Sequence, residues 1–238
     1  MRLLVTRPEP DDERTAMVLA GRRHDVLRAP LLRIEPLPEA DLGNGPFVAV
    51  IMTSMQAARA IVAHARKDEL LTLPVFAVGQ RTAEAAHAVG FCEVTSAQGD
   101  GADLGRLLAA RLGETAGRLL YLAGEDRARA LEKELASHAL TLQVAVIYRA
   151  VAAEELAAPT RQALESGRLE GVLHFSARSA AVFLACARRA GLLNQAVKLV
   201  HYCLSRQVAA PLTAAGAVRI RVAARPEEAA LLDLIGPA

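Results

Sequence analysis

Apolar residues in this chain fall into two alternating patterns. Short aliphatic and β-branched runs at 2–6, 26–28, 47–53, 75–78, 92–95, 118–122, 142–148, 171–175, 198–204 and 218–222 predict strands. Between most of them, helical periodicity predicts helices over 11–22, 55–65, 81–89, 102–112, 127–137, 155–166, 178–190, 206–215 and 226–235. Gly90 and Gly216 stand where helices should end, and Pro226 followed by two acids opens the last helix. This alternation gives parallel strands with helices on both faces, so the predicted class is α/β, with ten strands in two five-stranded sheets.

The pattern is also duplicated. "VAVIMTSMQAARAIV" at 48–62 and "EGVLHFSARSAAVFLACARR" at 170–189 both run from an apolar segment through Ser into an Ala-rich helix. Ser54 and Ser176 lie 122 positions apart, whereas Ala83 and Ala209, like Gly90 and Gly216, lie 126 apart. The stretch Arg2 to Arg33 matches Arg118 to Arg149 at an offset of 116. The chain therefore reads as two consecutive repeats, roughly 1–116 and 117–238.

Composition narrows the class. With 53% hydrophobic and 23% charged residues a packed core is expected, and 238 residues suit one large domain or two smaller ones. A net charge of +2, no basic block, no Trp and 3% aromatics argue against a nucleic-acid partner. The apolar runs fall short of the ~20 residues of a membrane span, and "MRLLVTRPEP" is too short for a secretory signal. No membrane partner and a cytoplasmic location are expected. Cys92, Cys186 and Cys203 form no CxxC pair and read as small buried thiols in a reducing compartment. The six His residues show no HExxH spacing, so no metal site is expected.

Several motifs fail. "GDGADLG" lacks the GxGxxG spacing and puts Asp100 and Asp103 where phosphates would sit, so it reads as a loop and helix start. There is no GxxxxGK[ST], and "HFSARSA" is not a GxSxG elbow. What remains is a set of loops after the strands: "TRPEP", "TSMQA", "VGQRT", "AGEDR", "HFSARSA" and "LSRQV". Two-domain α/β proteins bind ligands on such loops, in the cleft between domains. The hydroxyls there have two readings, as plain N-caps or as part of a helix-terminal site for carboxylates or phosphates.

In order and spacing, "LLVTRP", "VIMTS", "VFAVGQRTAEAAHAVG", "RLLYLAGEDRARALEKEL", "VAVIYRA", "VLHFSARSAAVFL" and "RPEEAALLDLI" resemble the uroporphyrinogen-III synthase family over nearly the whole chain. The resemblance implies two similar three-layer α/β/α domains with parallel five-stranded sheets, segment-swapped, joined by two linkers and separated by a cleft. One domain would combine 1–34 with 150–238 and the other span 37–147, with "RIEPLPEA" and "YRAVAAEE" as the crossings. The implied activity is that of a hydro-lyase. It closes hydroxymethylbilane to uroporphyrinogen III with inversion of ring D and loss of water, through azafulvene and spiro intermediates. A non-enzymatic cleft protein for an anionic small molecule is the alternative.

Tyr148 of "VIYRA" aligns with the family's candidate acid. A phenol with a pKa of roughly 10 keeps its proton at neutral pH and can donate to a departing hydroxyl. Taken on its residues alone, Tyr148 equally well ends a strand with its ring packed. The resemblance assigns substrate binding to Arg7, Ser54, Thr82, Gly124, Ser176 and Ser205, through contacts to acetate and propionate groups. For Arg7 a positioned cation and a domain-interface ion pair are both open. One departure stands out: many relatives have Gly-x-x-Thr where this chain has Ser205 and Val208. No cofactor and no metal are implied. The expected partners are hydroxymethylbilane and, transiently, hydroxymethylbilane synthase, with the chain itself a monomer.

Overall fold

The fold was analysed on a computed structural model that describes residues 1–113, 117–127, 129–138 and 140–236. The repeat boundary expected near 116, and position 128 of the helix expected over 127–137, lie outside the described residues. In chain order the elements are β1 (Arg2–Val5), α1 (Asp11–Gly21), β2 (Asp25–Arg28), β3 (Leu32–Pro36), β4 (Phe47–Met52), α2 (Met55–Ile61), α3 (Lys67–Leu70) and β5 (Val75–Ala77). Then follow α4 (Gln80–Ala88), β6 (Val94–Ser96), α5 (Gly101–Leu112), β7 (Arg118–Gly124), α6 (Ala130–Ser137), β8 (Leu142–Ala152) and α7 (Ala158–Glu165). The chain continues with β9 (Gly171–His174), α8 (Ala177–Arg189), α9 (Leu193–Ala196), β10 (Val200–Cys203), α10 (Arg206–Ala214), β11 (Ile220–Val222) and α11 (Glu228–Asp233). Every run read as a strand or helix carries one; β3 and the single-turn helices α3 and α9 are additional.

The chain divides into two compact units: Met1–Arg33 with Val151–Ala238 form unit 1, and Ile34–Ala150 form unit 2. The sheet of unit 1 has the order β11-β10-β9-β1-β2, and the other sheet the order β3-β8-β7-β4-β5-β6. The second sheet therefore has six strands, not the five expected. Its extra strand, Leu32–Pro36, runs into "RIEPLPEA", read from sequence as an extended crossing between domains. Hydrogen bonds from Leu37 N to Ile147 O (2.8 Å) and from Ala153 N to Leu31 O (2.9 Å) run in opposite residue order, so β3 is antiparallel to β8. Two extended segments lying side by side satisfy each other's backbone groups. Pro36 closes the strand at a sheet edge, where its missing N–H breaks no central ladder.

Successive strand residues feed two cores in each unit. In unit 2, Val50, Met52, Leu120 and Leu122 pack with Ala57 and Ile61 of α2 and Ala86 of α4. Their neighbours Ala49, Ile51, Leu119 and Tyr121 pack with Leu104 and Leu108 of α5 and Leu131 and Leu135 of α6. Unit 1 does the same: Leu4 and Val172 join Phe183 and Leu212, while Leu3, Val5 and Leu173 join Leu19 and Leu231. Strands covered on both faces need apolar side chains at every position, which is why they read as continuous runs.

The sequence repeat reappears in the strand register. Val50, Ile51 and Met52 sit opposite Val75, Phe76 and Ala77 on one side and opposite Leu120, Tyr121 and Leu122 on the other. Shifting these by the offsets 122, 126 and 116 gives the pairs of unit 1: Val172, Leu173 and His174 opposite His201, Tyr202 and Cys203, with Val172 and Leu173 also opposite Leu4 and Val5. The outer pairs agree too, since Leu3 faces Val26 as Leu119 faces Leu142, and His201 faces Ile220 as Val75 faces Val94.

One thiol departs from expectation. Cys186 and Cys203 are buried, but Cys92 is exposed. The strand expected from 92 begins only at Val94, and Cys92 lies in the turn after Gly90, whose φ of +112° ends α4 in a conformation glycine tolerates.

Candidate functional site

In unit 2 the chain leaves β4 through Thr53 and Ser54 into α2. Ser54 is extended (φ −147°, ψ 141°) and its Oγ accepts the Gln56 N–H at 3.2 Å, so it is the N-cap. The same hydroxyl stands near enough to the phenol of Tyr148 on β8 to influence its pKa. Beside it, Thr53 Oγ1 lies 2.7 Å from the phenol oxygen of Tyr121 on β7. Of the two consecutive hydroxyls, that of Thr53 is hydrogen-bonded to a phenol.

Gly124 makes the position of Tyr148 sterically possible. A Cβ there would lie 2.6 Å from Cζ and 2.7 Å from Oη of Tyr148. The register slips at the same point: Ala123 faces Val146, but Gly124 faces Tyr148. This bulge lets the consecutive residues Ile147 and Tyr148 pack on one core. Burial pushes the Tyr148 phenol above its ordinary pKa, the Ser54 hydroxyl opposes that shift, and the charge of Asp126 adds to it. Tyr148 thus holds its proton through neutral pH. Tyr121 is raised too, mainly by burial, but at 1% exposure it stays a core residue.

The remaining predicted residue of unit 2, Thr82, is 6% exposed, so its hydroxyl is withdrawn from solvent. It stands in the first turn of α4, whose N-cap is Gly79.

In unit 1, Ser176 caps α8 with the same extended backbone as Ser54 (φ −147°, ψ 151°). Its Oγ accepts the Ser179 N–H at 3.0 Å and lies 2.9 Å from Ser179 Oγ. Ser205 caps α10 by accepting the Val208 N–H at 3.3 Å. It also lines a cavity of about 420 Å³ with Arg206, Val222 and Pro226, off the carboxyl ends of β10 and β11. Val208, the departure from the family's Thr, belongs to the apolar core under α10.

Arg7 is 7% exposed and bound up inside unit 1. Its Nη1 donates to Glu228 Oε1 (2.9 Å) and Thr15 Oγ1 (3.1 Å), Nη2 lies 3.5 Å from Asp11 Oδ2, and the guanidinium stacks 4.2 Å from the Phe175 ring centre. Of the two readings left open for Arg7, the geometry favours an ion pair, and one made within a single unit.

A second buried polar pair lies in the same unit. His201 Nε2 is 3.1 Å from the Ala196 carbonyl, so that nitrogen carries the proton and Nδ1 accepts from His174 Nε2, also at 3.1 Å. His174 Nδ1 is left as a buried acceptor without a partner. Burial drives both imidazoles toward the neutral form: His174 well below its usual pKa, and His201 to about 4.

Sequence reasoning did not single out Thr53, Tyr121, Glu228 or the histidines. The available signals were slight: Thr53 precedes a predicted cap, and His174 and His201 stand at the repeat positions of apolar Met52 and Val75. Among the described residues no group of three or more His, Cys, Asp or Glu side chains could hold a metal ion, and no helix is long and apolar enough to cross a membrane.

Comparison with known proteins gives a consistent picture. The family model of uroporphyrinogen-III synthase HemD matches residues 13–233. Among solved structures, the uroporphyrinogen-III synthetase of Helicobacter pylori aligns with a TM-score of 0.69 at 20% identity, over 98% of each chain. A mutant uroporphyrinogen III synthase from the extremely thermophilic bacterium Thermus thermophilus aligns with a TM-score of 0.57 at 15% identity, over 98% of this chain and 96% of that one. These likenesses show a shared fold. No curated protein sequence matches the chain. The family match, spanning residues 13–233 of 238, shows that the chain belongs to the uroporphyrinogen-III synthase family.

Proposed function

We propose that this chain is a cytoplasmic uroporphyrinogen-III synthase, a cyclising hydro-lyase that converts hydroxymethylbilane to uroporphyrinogen III. The observation that carries the reading is the family match over residues 13–233. The surroundings of Tyr148 support the chemistry. The reaction needs an acid at the departing hydroxyl and a site that folds a flexible chain so that the correct carbon is presented.

In this reading the Tyr148 proton passes to the leaving hydroxyl, water departs and the azafulvene forms. The substituted carbon of ring D attacks, and the resulting spiro intermediate fragments and recloses with that ring inverted. The pyrrole proton released on closure returns to the Tyr148 oxygen, so no redox change and no net proton transfer to the enzyme are involved. Ser176 and Ser205 order the starts of α8 and α10, where backbone N–H groups not used by the caps donate to substrate carboxylates. Thr82 plays the matching part at the start of α4 by keeping that turn packed. Gly124 gives room for the Tyr148 ring, and Arg7 holds the loop after β1 through Asp11 and Glu228. The chain acts as a monomer and meets hydroxymethylbilane synthase only in passing.

The test is an isomer assay. Purified protein is given hydroxymethylbilane, the products are oxidised, and uroporphyrins I and III are separated. Type III is expected from the wild type, with a large loss of rate in Tyr148→Phe. Only the spontaneous type I product would return the chain to the reading as a binding protein for an anionic small molecule.

A further inference from the structure

We infer that Arg127 is a further substrate-binding residue of this reaction: its guanidinium, oriented by Glu132, takes one carboxylate of the substrate beside Tyr148. The inference rests on the proposed synthase reading and deepens it, since that reading gives the carboxylates only backbone N–H partners. Arg127 lies in "AGEDR", the loop beyond the carboxyl end of β7.

An arginine side chain carries five N–H donors in a planar fork. Two of them are fixed within unit 2: Nε donates to Glu132 Oε1 at 3.0 Å, in the first turn of α6, and Nη1 donates to the Gly124 carbonyl at 3.4 Å. Both side chains are 21% exposed, so the fork is held against the protein and still reaches solvent. Glu132 engages through one oxygen only; its Oε2 is buried and meets no donor among the described residues. The guanidinium is thus oriented without being closed off. Among the described residues nothing takes the N–H groups of Nη2 or the second one of Nη1, and a carboxylate accepts such donors in pairs.

Gly124 ties this cation to the phenol. Its carbonyl holds the guanidinium, while its Cα faces the Tyr148 ring so closely that a Cβ would lie 2.7 Å from Oη. A carboxylate bound at Arg127 and a hydroxyl leaving at Tyr148 are then fixed from the same backbone residue, which is the positioning the reaction needs. The repeat supplies a contrast. At the offset of 116, Arg127 corresponds to Asp11 and Ala123 to Arg7. Unit 1 surrounds its cation with Glu228 at 2.9 Å, Asp11 at 3.5 Å and the Thr15 hydroxyl. Unit 2 gives Arg127 a single carboxylate among the described residues. The acidic neighbours Glu125 and Asp126 are exposed, where water and salt screen them.

Steady-state kinetics on hydroxymethylbilane separate the roles. Arg127→Ala should raise KM about ten- to a hundredfold, the equivalent of a hydrogen bond to a charged group, with a smaller change in kcat. Arg127→Lys, which keeps the charge and loses the fork, should fall between. Its KM should also depend on salt more steeply than that of Arg127→Ala, which has lost the cation from the binding step. Glu132→Ala should raise KM by freeing the guanidinium, and Glu132→Gln, whose amide oxygen still accepts from Nε, should recover most of the loss. In the Arg127→Ala background, Glu132→Ala should change KM by less than about twofold, because Glu132 acts through Arg127. Arg127→Ala leaves Glu132 without its cation, so the double variant Arg127→Gln with Glu132→Gln is the control for folding: its urea midpoint should stay near that of the wild type while KM remains raised. An unchanged KM in that double variant, or a lower urea midpoint in Arg127→Ala with KM unchanged, overturns the inference while leaving the synthase reading intact. Type I product alone from wild type in the isomer assay brings down the synthase reading instead.

Discussion

Units 1 and 2 set repeat-equivalent residues at the same sheet positions and fill them differently. Where unit 2 has Met52 and Val75 in its core, unit 1 has His174 and His201; where unit 2 has Thr53 and Tyr121, unit 1 has Phe175 and Val5. Position 123 of unit 2 is a buried alanine, and its counterpart in unit 1 is Arg7. The shared apolar pattern is enough to build the sheet and its register. The few exchanged positions decide where polarity goes: into closed internal networks in unit 1, and to a half-buried phenol in unit 2.

Exchanging those positions tests the contrast. The largest effect should come from Arg7→Ala, which gives unit 1 the residue unit 2 carries. Asp11 and Glu228, whose side chains are 8% and 13% exposed, would lose the Arg7 cation, while Glu228 would keep its 2.8 Å contact with Arg14. Removing one partner of a buried pair costs about 3–5 kcal/mol, so the urea midpoint should fall steeply. If Arg7 instead served the substrate, KM would rise and the midpoint would stay.

Next comes the histidine pair. His201 titrates near 4 in the folded protein against an ordinary 6.5, so between those values the unfolded chain takes up a proton that the folded chain refuses. Stability is complete above the unfolded pKa and is lost as pH falls from 6.5 toward 4, by on the order of 3 kcal/mol from this group. His174, which burial also holds well below its usual pKa, adds to the loss as pH falls. A His174→Met and His201→Val double variant copies unit 2 and should flatten urea stability across that window.

A smaller effect on stability, with a large one on turnover, is expected for Gly124→Ala. Unit 1 has Pro8 at the equivalent place and Leu32 at the position equivalent to Tyr148. In unit 2 the new methyl group would stand 2.6 Å from the Tyr148 ring. Overpacking of this kind costs about 1–3 kcal/mol, and relief by rotating the ring would displace the phenol. Type III formation should drop more than the urea midpoint does.

These pairs also explain which features the sequence discloses by itself. The strands were legible because two-sided burial demands unbroken apolar runs, and the caps Ser54, Ser176 and Ser205 because a cap and its N–H donor lie within three residues. Glu228 was not legible, since its bond to Arg7 spans 221 positions and leaves no local pattern. Strand β3 was missed because "LRIEP" lies beside two prolines and becomes a strand only through β8, more than a hundred residues away. Tyr148 drew notice through family resemblance alone; the bulge that presents it and the glycine that admits it are properties of paired strands.

The smallest expected effect asks whether the two helix starts after β5 and β10 are interchangeable. Gly79 and Ser205 are repeat equivalents with nearly the same extended backbone, φ −149° and ψ 169° against φ −157° and ψ 170°, yet only Ser205 contributes a side-chain cap. A Cβ at Gly79 would meet nothing within 4 Å, so Gly79→Ser should place its hydroxyl on the first turn of α4 without strain. Serine exceeds glycine at an N-cap by a few tenths of a kcal/mol, and replacing glycine also narrows the unfolded ensemble, for a total gain of about 0.5–1 kcal/mol. Ser205→Gly should shift α10 by a few tenths in the opposite sense. A lower urea midpoint in Gly79→Ser would break the equivalence. A higher midpoint accompanied by a raised KM would show that unit 2 leaves this helix start uncapped so that its N–H groups stay open to the substrate.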